Sequence, residues 1–157
     1  MWLILTIKVF LGMLELVIER FAVCRSAVHG RLSVDGQYVC DTLEYEPCCL
    51  QEGSYSLSLE YVASENRKML VVGDDSHGMV GDTACKVQDV PCMLVAINGP
   101  FTLKGGCISV GECHHLGYIL HCAEVLDLLF ERVRISLSRG RKARLHIRRA
   151  KRFVDAG

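Results

Sequence analysis

From Leu14 the chain alternates apolar and polar residues: Leu14, Leu16 and Ile18 on one side, Glu15 and Glu19 on the other. A two-residue period places successive side chains on opposite faces of a strand, so this stretch reads as a half-buried strand, prolonged by Ala22 to Cys24. Arg31-Leu32-Ser33-Val34 and Gln37-Tyr38-Val39-Cys40 flank Asp35-Gly36. Both residues of that pair tolerate the positive φ angles of a tight type I′ turn, which predicts a hairpin running on through Cys40 to Glu44. Ser54 to Val62 alternates strictly, as a strand with one face in water does. Further strands are expected at Lys68–Val72, Pro91–Ile97, Cys107–Val110, Tyr118–Leu120 and Ala143–Arg148. Only one segment has helical spacing: Val125, Leu126, Leu129, Phe130 and Val133 form an apolar stripe opposite Asp127, Glu131 and Arg132. The pattern therefore predicts an α+β fold, a single β-rich domain of mainly antiparallel strands. One helix, near Cys122 to Ser136, packs on the sheet.

Length agrees with one domain, since 157 residues, half of them apolar, can bury one core and hardly two. Its expected limits are an apolar N-terminal extension over 1–12, a domain over 13–148 and a basic tail over 149–157. The extension lacks a basic start, carries Lys8 at its middle and falls short of the roughly 20 apolar residues that span a bilayer, so no membrane span is expected.

Net charge is zero but unevenly spread. Before Arg132 there are eight basic residues to seventeen acidic; from Arg132 onward there are ten basic to one acidic. The run Arg139 to Arg152 is short of the interleaved aromatics that stack bases, which argues against nucleic acid and for a solvated, charged strand edge. Nine cysteines are an odd number, mostly within apolar runs, and do not form the even framework of small secreted domains. A reducing, cytoplasmic setting is expected.

The candidate chemistry centres on Asn98 to Glu112, where five of fifteen positions are Gly or Pro and Cys107 follows a glycine pair. A hairpin loop usually takes about two to five residues. The longer excursion, with Phe101 among polar and glycine neighbours, marks a functional surface: Asn98, Gly99, Phe101, Gly106 and Glu112 are candidate binding residues. If Cys107 is a nucleophile it needs a base, and His114 and His115 are the candidate catalytic partners. Cys113, His114, His115, His121 and Cys122 would suffice in number for zinc, but their spacing matches no zinc module and no metal site is assigned. Asp74, Asp75 and Asp82 lack the spacing of a calcium loop. Asp41 and Glu44 are read as turn or strand-end acids in preference to a catalytic carboxylate pair. No cofactor motif is present.

Three motifs carry a resemblance to a known family: Val39-Cys40-Asp41-Thr42-Leu43-Glu44, the Asn98 to Glu112 stretch, and Gly117-Tyr118-Ile119-Leu120-His121-Cys122-Ala123-Glu124. In this order they resemble a bacterial family found on prophages and mobile elements, the domain of unknown function 5675, over about residues 13–147. That resemblance implies a fold and a genomic setting; because no complete catalytic set can be assembled from the sequence, a non-enzymatic accessory or structural/interaction role with a protein partner is expected. The Gly-Gly-Cys107 sequence is also similar to the Ser-His-Gly-Cys signature of L,D-transpeptidases, which implies the alternative of a cysteine-dependent enzyme acting on cell-wall peptide. Leu103-Lys104-Gly105 stands where that signature has its serine and histidine, and Ser109 stands where it has an arginine.

Overall fold

The computed structural model describes residues 12–73, 91–100, 103 and 107–157. Among these described residues, nine strands and one α-helix, with a 3-10 turn at Glu46–Cys48, are arranged in the order β1 (Met13–Cys24), β2 (Ala27–Val34), β3 (Gln37–Tyr45), β4 (Gly53–Val62), β5 (Arg67–Gly73), β6 (Leu94–Val95), β7 (Ile108–His115), β8 (Tyr118–Leu120), α1 (Cys122–Ser138) and β9 (Lys142–Asp155). The α+β expectation holds: a mostly antiparallel sheet with one helix in the C-terminal half. Asp35 and Gly36 adopt φ of 49° and 85°, the left-handed pair that the β2–β3 turn requires.

Strand order is β5-β4-β9-β1-β2-β3-β7-β6, with β8 attached to β7. Only β1–β9 and β6–β7 pair parallel among the described residues. The outermost strands then meet, because Val71 of β5 bridges Met93 just before β6 and the Val72 N–H donates to the Cys92 carbonyl at 2.8 Å. The sheet thus curls into a closed ring and loses its open edges there. One alternate face of every long strand fills the ring: Leu14, Leu16 and Ile18 meet Leu32, Val34, Leu57, Leu70, Ile108, Val110, Leu145 and Ile147 in one buried cluster. Helix α1 touches both β7 and β9, which lie on opposite sides of the ring, so it lies across one mouth and buries Val125, Leu126, Leu129 and Val133 there. It ends in a Schellman motif, with Gly140 at φ 81° and the Arg141 N–H donating to the Ser136 carbonyl at 3.1 Å.

Two features differ from the sequence pattern. The expected tail from 149 is not separate, since β9 runs on to Asp155 and pairs again with β1 at Ala22–Val154 after an irregularity. The inward row of β1 also continues from Ile18 to a charged residue, Arg20, which is 7% exposed. Its guanidinium donates to both Glu44 carboxylate oxygens at 2.9 and 2.7 Å and to the Leu50 carbonyl at 2.6 Å. Glu44 is therefore half of an interior ion pair, whereas Asp41 points to the other face of β3. Strand alternation separates the two acids and removes any carboxylate pair.

Cys48 is disulfide-bonded, whereas Cys24, Cys40, Cys49, Cys92, Cys107, Cys113 and Cys122 are free thiols. Adjacent Cys48 and Cys49 do not bridge each other. Among the described residues no helix is long and apolar enough to cross a membrane.

Candidate functional site

The Asn98 turn is held by its own side chain. Asn98 Nδ2 donates to the Ile119 carbonyl at 2.8 Å, while the Asn98 carbonyl accepts the Ile119 N–H at 2.9 Å. A single residue thereby clamps both backbone groups of Ile119, in the middle of β8. Ser109, fully buried on β7, secures the other side of the turn: its Oγ accepts the Ile97 N–H at 2.8 Å and donates to the Ile97 carbonyl at 2.5 Å. The serine that stands in place of a transpeptidase arginine is thus a structural tie.

On the far side of β8, Glu112 pairs with Leu120 in the β7–β8 register. The structure therefore brings Asn98 and Glu112 to the two sides of β8, although fourteen positions separate them in sequence. Gly111, next to Glu112, is the glycine that close approach demands. A Cβ there would lie 2.6 Å from the Leu120 carbonyl oxygen and 3.0 Å from Cys122 Sγ. At Gly99 a Cβ would meet nothing within 4 Å, so packing does not explain that glycine. Phe101 and Gly106 lie outside the described residues.

The proposed catalytic partners are not brought together. Cys107, 7% exposed, precedes β7 with its Sγ 3.8 Å from the Pro91 carbonyl oxygen. His114 and His115 end the same strand, seven residues on, roughly 20 Å away at the rise of an extended chain. His114 Nε2 instead lies 3.4 Å from Glu112 Oε2, and the His115 ring lies 6.0 Å from that of Tyr118. An in-line strand keeps the thiol and the imidazoles at opposite ends, so neither histidine serves Cys107 as a base in this conformation.

The imidazole that does meet a thiol is His29. Fully buried on β2, it accepts the Gly117 N–H at Nε2 (2.8 Å), which leaves the proton on Nδ1, 3.5 Å from Cys113 Sγ. Asp41 accepts the Cys113 N–H at 2.8 Å and the Tyr38 hydroxyl at 2.9 Å. Together these contacts fasten the β7–β8 turn onto β2 and β3. Burial, only partly opposed by Asp41, lowers the His29 pKa. Burial and then Asp41 raise the Cys113 thiol, so the pair rests as neutral imidazole and thiol. Burial likewise raises Cys122, and pushes Cys40 up to about 12. Cys113 and Cys122 have separate partners, and among the described residues no group of three or more His, Cys, Asp or Glu is placed to hold a metal ion.

A second polar chain crosses β4, β9 and β1. Ser54 Oγ lies 2.7 Å from His146 Nδ1, and His146 Nε2 meets the Glu15 carboxylate. The carboxylate can only accept, so Nε2 carries a proton and donates to Glu15. No sequence motif announces this set or the His29 site, because each joins residues from strands distant in the chain. Compared with known proteins, the chain matches no family model, no curated protein and no solved structure.

Proposed function

We propose that this chain is a non-enzymatic accessory or interaction domain of a bacterial prophage or mobile element, working in the cytoplasm through a protein partner. The contact surface is the Asn98 turn together with the β7–β8 hairpin. The observation that carries this reading is the pair of clamps on that hairpin, Asn98 on Ile119 and His29 on Gly117. Between them Leu116, Tyr118 and Leu120 stand 40%, 39% and 37% exposed. Apolar side chains held on a rigid hairpin can bind with little loss of conformational entropy, whereas the same residues on a mobile loop would be ordered only at a cost. The separation of Cys107 from His114 and His115 supports the non-enzymatic class.

Iodoacetamide treatment of the folded chain near neutral pH, mapped by mass spectrometry, tests the class. Buried Cys107 is expected to react more slowly than half-buried Cys24 and Cys49. Rapid labelling selective for Cys107 would overturn the proposal and favour the cysteine enzyme acting on cell-wall peptide. The surface is tested by replacing Tyr118 and Leu120 with Ser once a partner is in hand: binding should fall while the fold is kept.

A further inference from the structure

The outer face of the ring carries a groove of about 370 Å³, lined by Val17, Glu19, Arg31, Ser33, Tyr38 and Arg148. Strand register assembles it. Val17 pairs with Ser33 and Glu19 with Arg31 across β1–β2, while Glu19 pairs with Arg148 across β1–β9. One carboxylate therefore stands between two guanidinium groups. Glu19 is taken by Arg148, whose Nε donates to its Oε2 at 3.1 Å. The other acid in register with Arg31 is Asp41, and both of its oxygens already accept, from Tyr38 and from the Cys113 N–H.

The Arg31 guanidinium is left with no hydrogen bond or ion pair to a described residue. Its guanidinium is nonetheless positioned, with Cζ 4.5 Å from the centre of the Phe21 ring. Stacking of this kind uses the flat face of the guanidinium and leaves the N–H donors of its edge for an acceptor. Beside it the Ser33 hydroxyl also makes no hydrogen bond to a described residue. Val17 and the Tyr38 ring, the residue 58% exposed, add apolar surface. A cation held in place without an acceptor among the described residues, next to a hydroxyl and an exposed aromatic ring, is complementary to an oxyanion attached to an apolar body.

We propose that this groove binds a small organic oxyanion, a carboxylate or phosphate ester. Arg31 takes the anionic group through two parallel hydrogen bonds, Ser33 adds a third, and the apolar body rests on Tyr38 and Val17. The groove shares no residue with the hairpin surface, so the two proposals stand or fall separately.

Isothermal titration calorimetry of the full chain with phenyl phosphate and with benzoate tests it, with phenol as the uncharged control. Saturable binding of at least one anion is expected, with none of phenol. A preference for phenyl phosphate would assign the site to phosphate esters, and one for benzoate to carboxylates. Arg31→Gln should weaken binding by about tenfold or more. Arg31→Lys, which keeps the charge but not the planar fork, should also weaken it, and Lys68→Ala, at an exposed position on β5 away from β1 and β2 in the strand order, should not. Thermal unfolding of each variant checks the fold; if Arg31→Gln is destabilised, Arg31→Lys carries the comparison. Absence of saturable binding for both anions, or affinity unchanged in the folded Arg31 variant, would overturn the proposal.

Discussion

Arg20 and Glu44 form a charged pair inside a ring otherwise filled mainly by apolar side chains, and Glu44→Gln tests what the pair contributes. The substitution keeps size and one acceptor while removing the countercharge. Burial acts against the Arg20 charge, and Glu44, with smaller contributions from Cys49 and Glu52, outweighs it, so the Arg20 pKa is raised. Arginine cannot escape by losing its proton. Without Glu44 the guanidinium keeps the Leu50 carbonyl but stays buried and uncompensated, which should cost about 3–5 kcal/mol. With a urea dependence of about 2 kcal/mol per molar, the unfolding midpoint followed by circular dichroism should fall by about 1.5–2.5 M. The double variant Arg20→Met with Glu44→Leu should recover most of that loss, because it removes the desolvated charges along with their attraction. What stays unpaired is the Leu50 carbonyl, at about 1–3 kcal/mol. A midpoint shift below about 0.3 M for Glu44→Gln, or a double variant as unstable as the single one, would refute the reasoning.

Other substitutions test the fold around the candidate site. Gly111→Ala should destabilise by about 1–3 kcal/mol and speed hydrogen exchange at Ile119, since the new Cβ would be 2.6 Å from a backbone oxygen that cannot swing away. Gly30→Ala should cost a similar amount, its Cβ meeting Thr42 Oγ1 at 2.5 Å and Ile18 Cγ2 at 2.8 Å. Adding Thr42→Ala should return part of that loss, because the buried Thr42 hydroxyl has no hydrogen-bond partner to lose. The lowered His29 pKa means that the unfolded chain binds the extra proton first. Its stabilising contribution is therefore complete above the ordinary value near 6.5 and declines as pH falls below it toward the folded pKa. Chemical denaturation across pH 7 to 4 should show that decline flattened in His29→Gln. The Cys40 thiol, pushed up to about 12 by burial, should resist iodoacetamide in the folded chain and react once urea unfolds it.

Local order was legible in the residues themselves. Asp35-Gly36 carries its turn conformation in two side chains, one of them a single hydrogen, and the observed φ angles of 49° and 85° follow. Alternation through Leu14, Leu16 and Ile18 exposes a period of two, and the apolar stripe of α1 exposes one of 3.6, whatever either element packs against. The resemblance motifs contained the glycine that matters at Gly111, although its purpose depends on Leu120, nine residues later. Partners across the ring were not legible. The parallel pairing of β1 with β9 joins the two ends of the described chain, and the Val71–Met93 bridge that closes the ring joins strands at opposite ends of the sheet order. Cys107 and His114 looked close because sequence distance is short, yet an extended strand turns seven residues into roughly 20 Å. His29 and Cys113, 84 positions apart, came into contact because the β7–β8 turn folds over β2. A side chain's period depends on its own backbone and can be read locally. Its partner depends on strand order and register, which arise only when the whole sheet closes around one core.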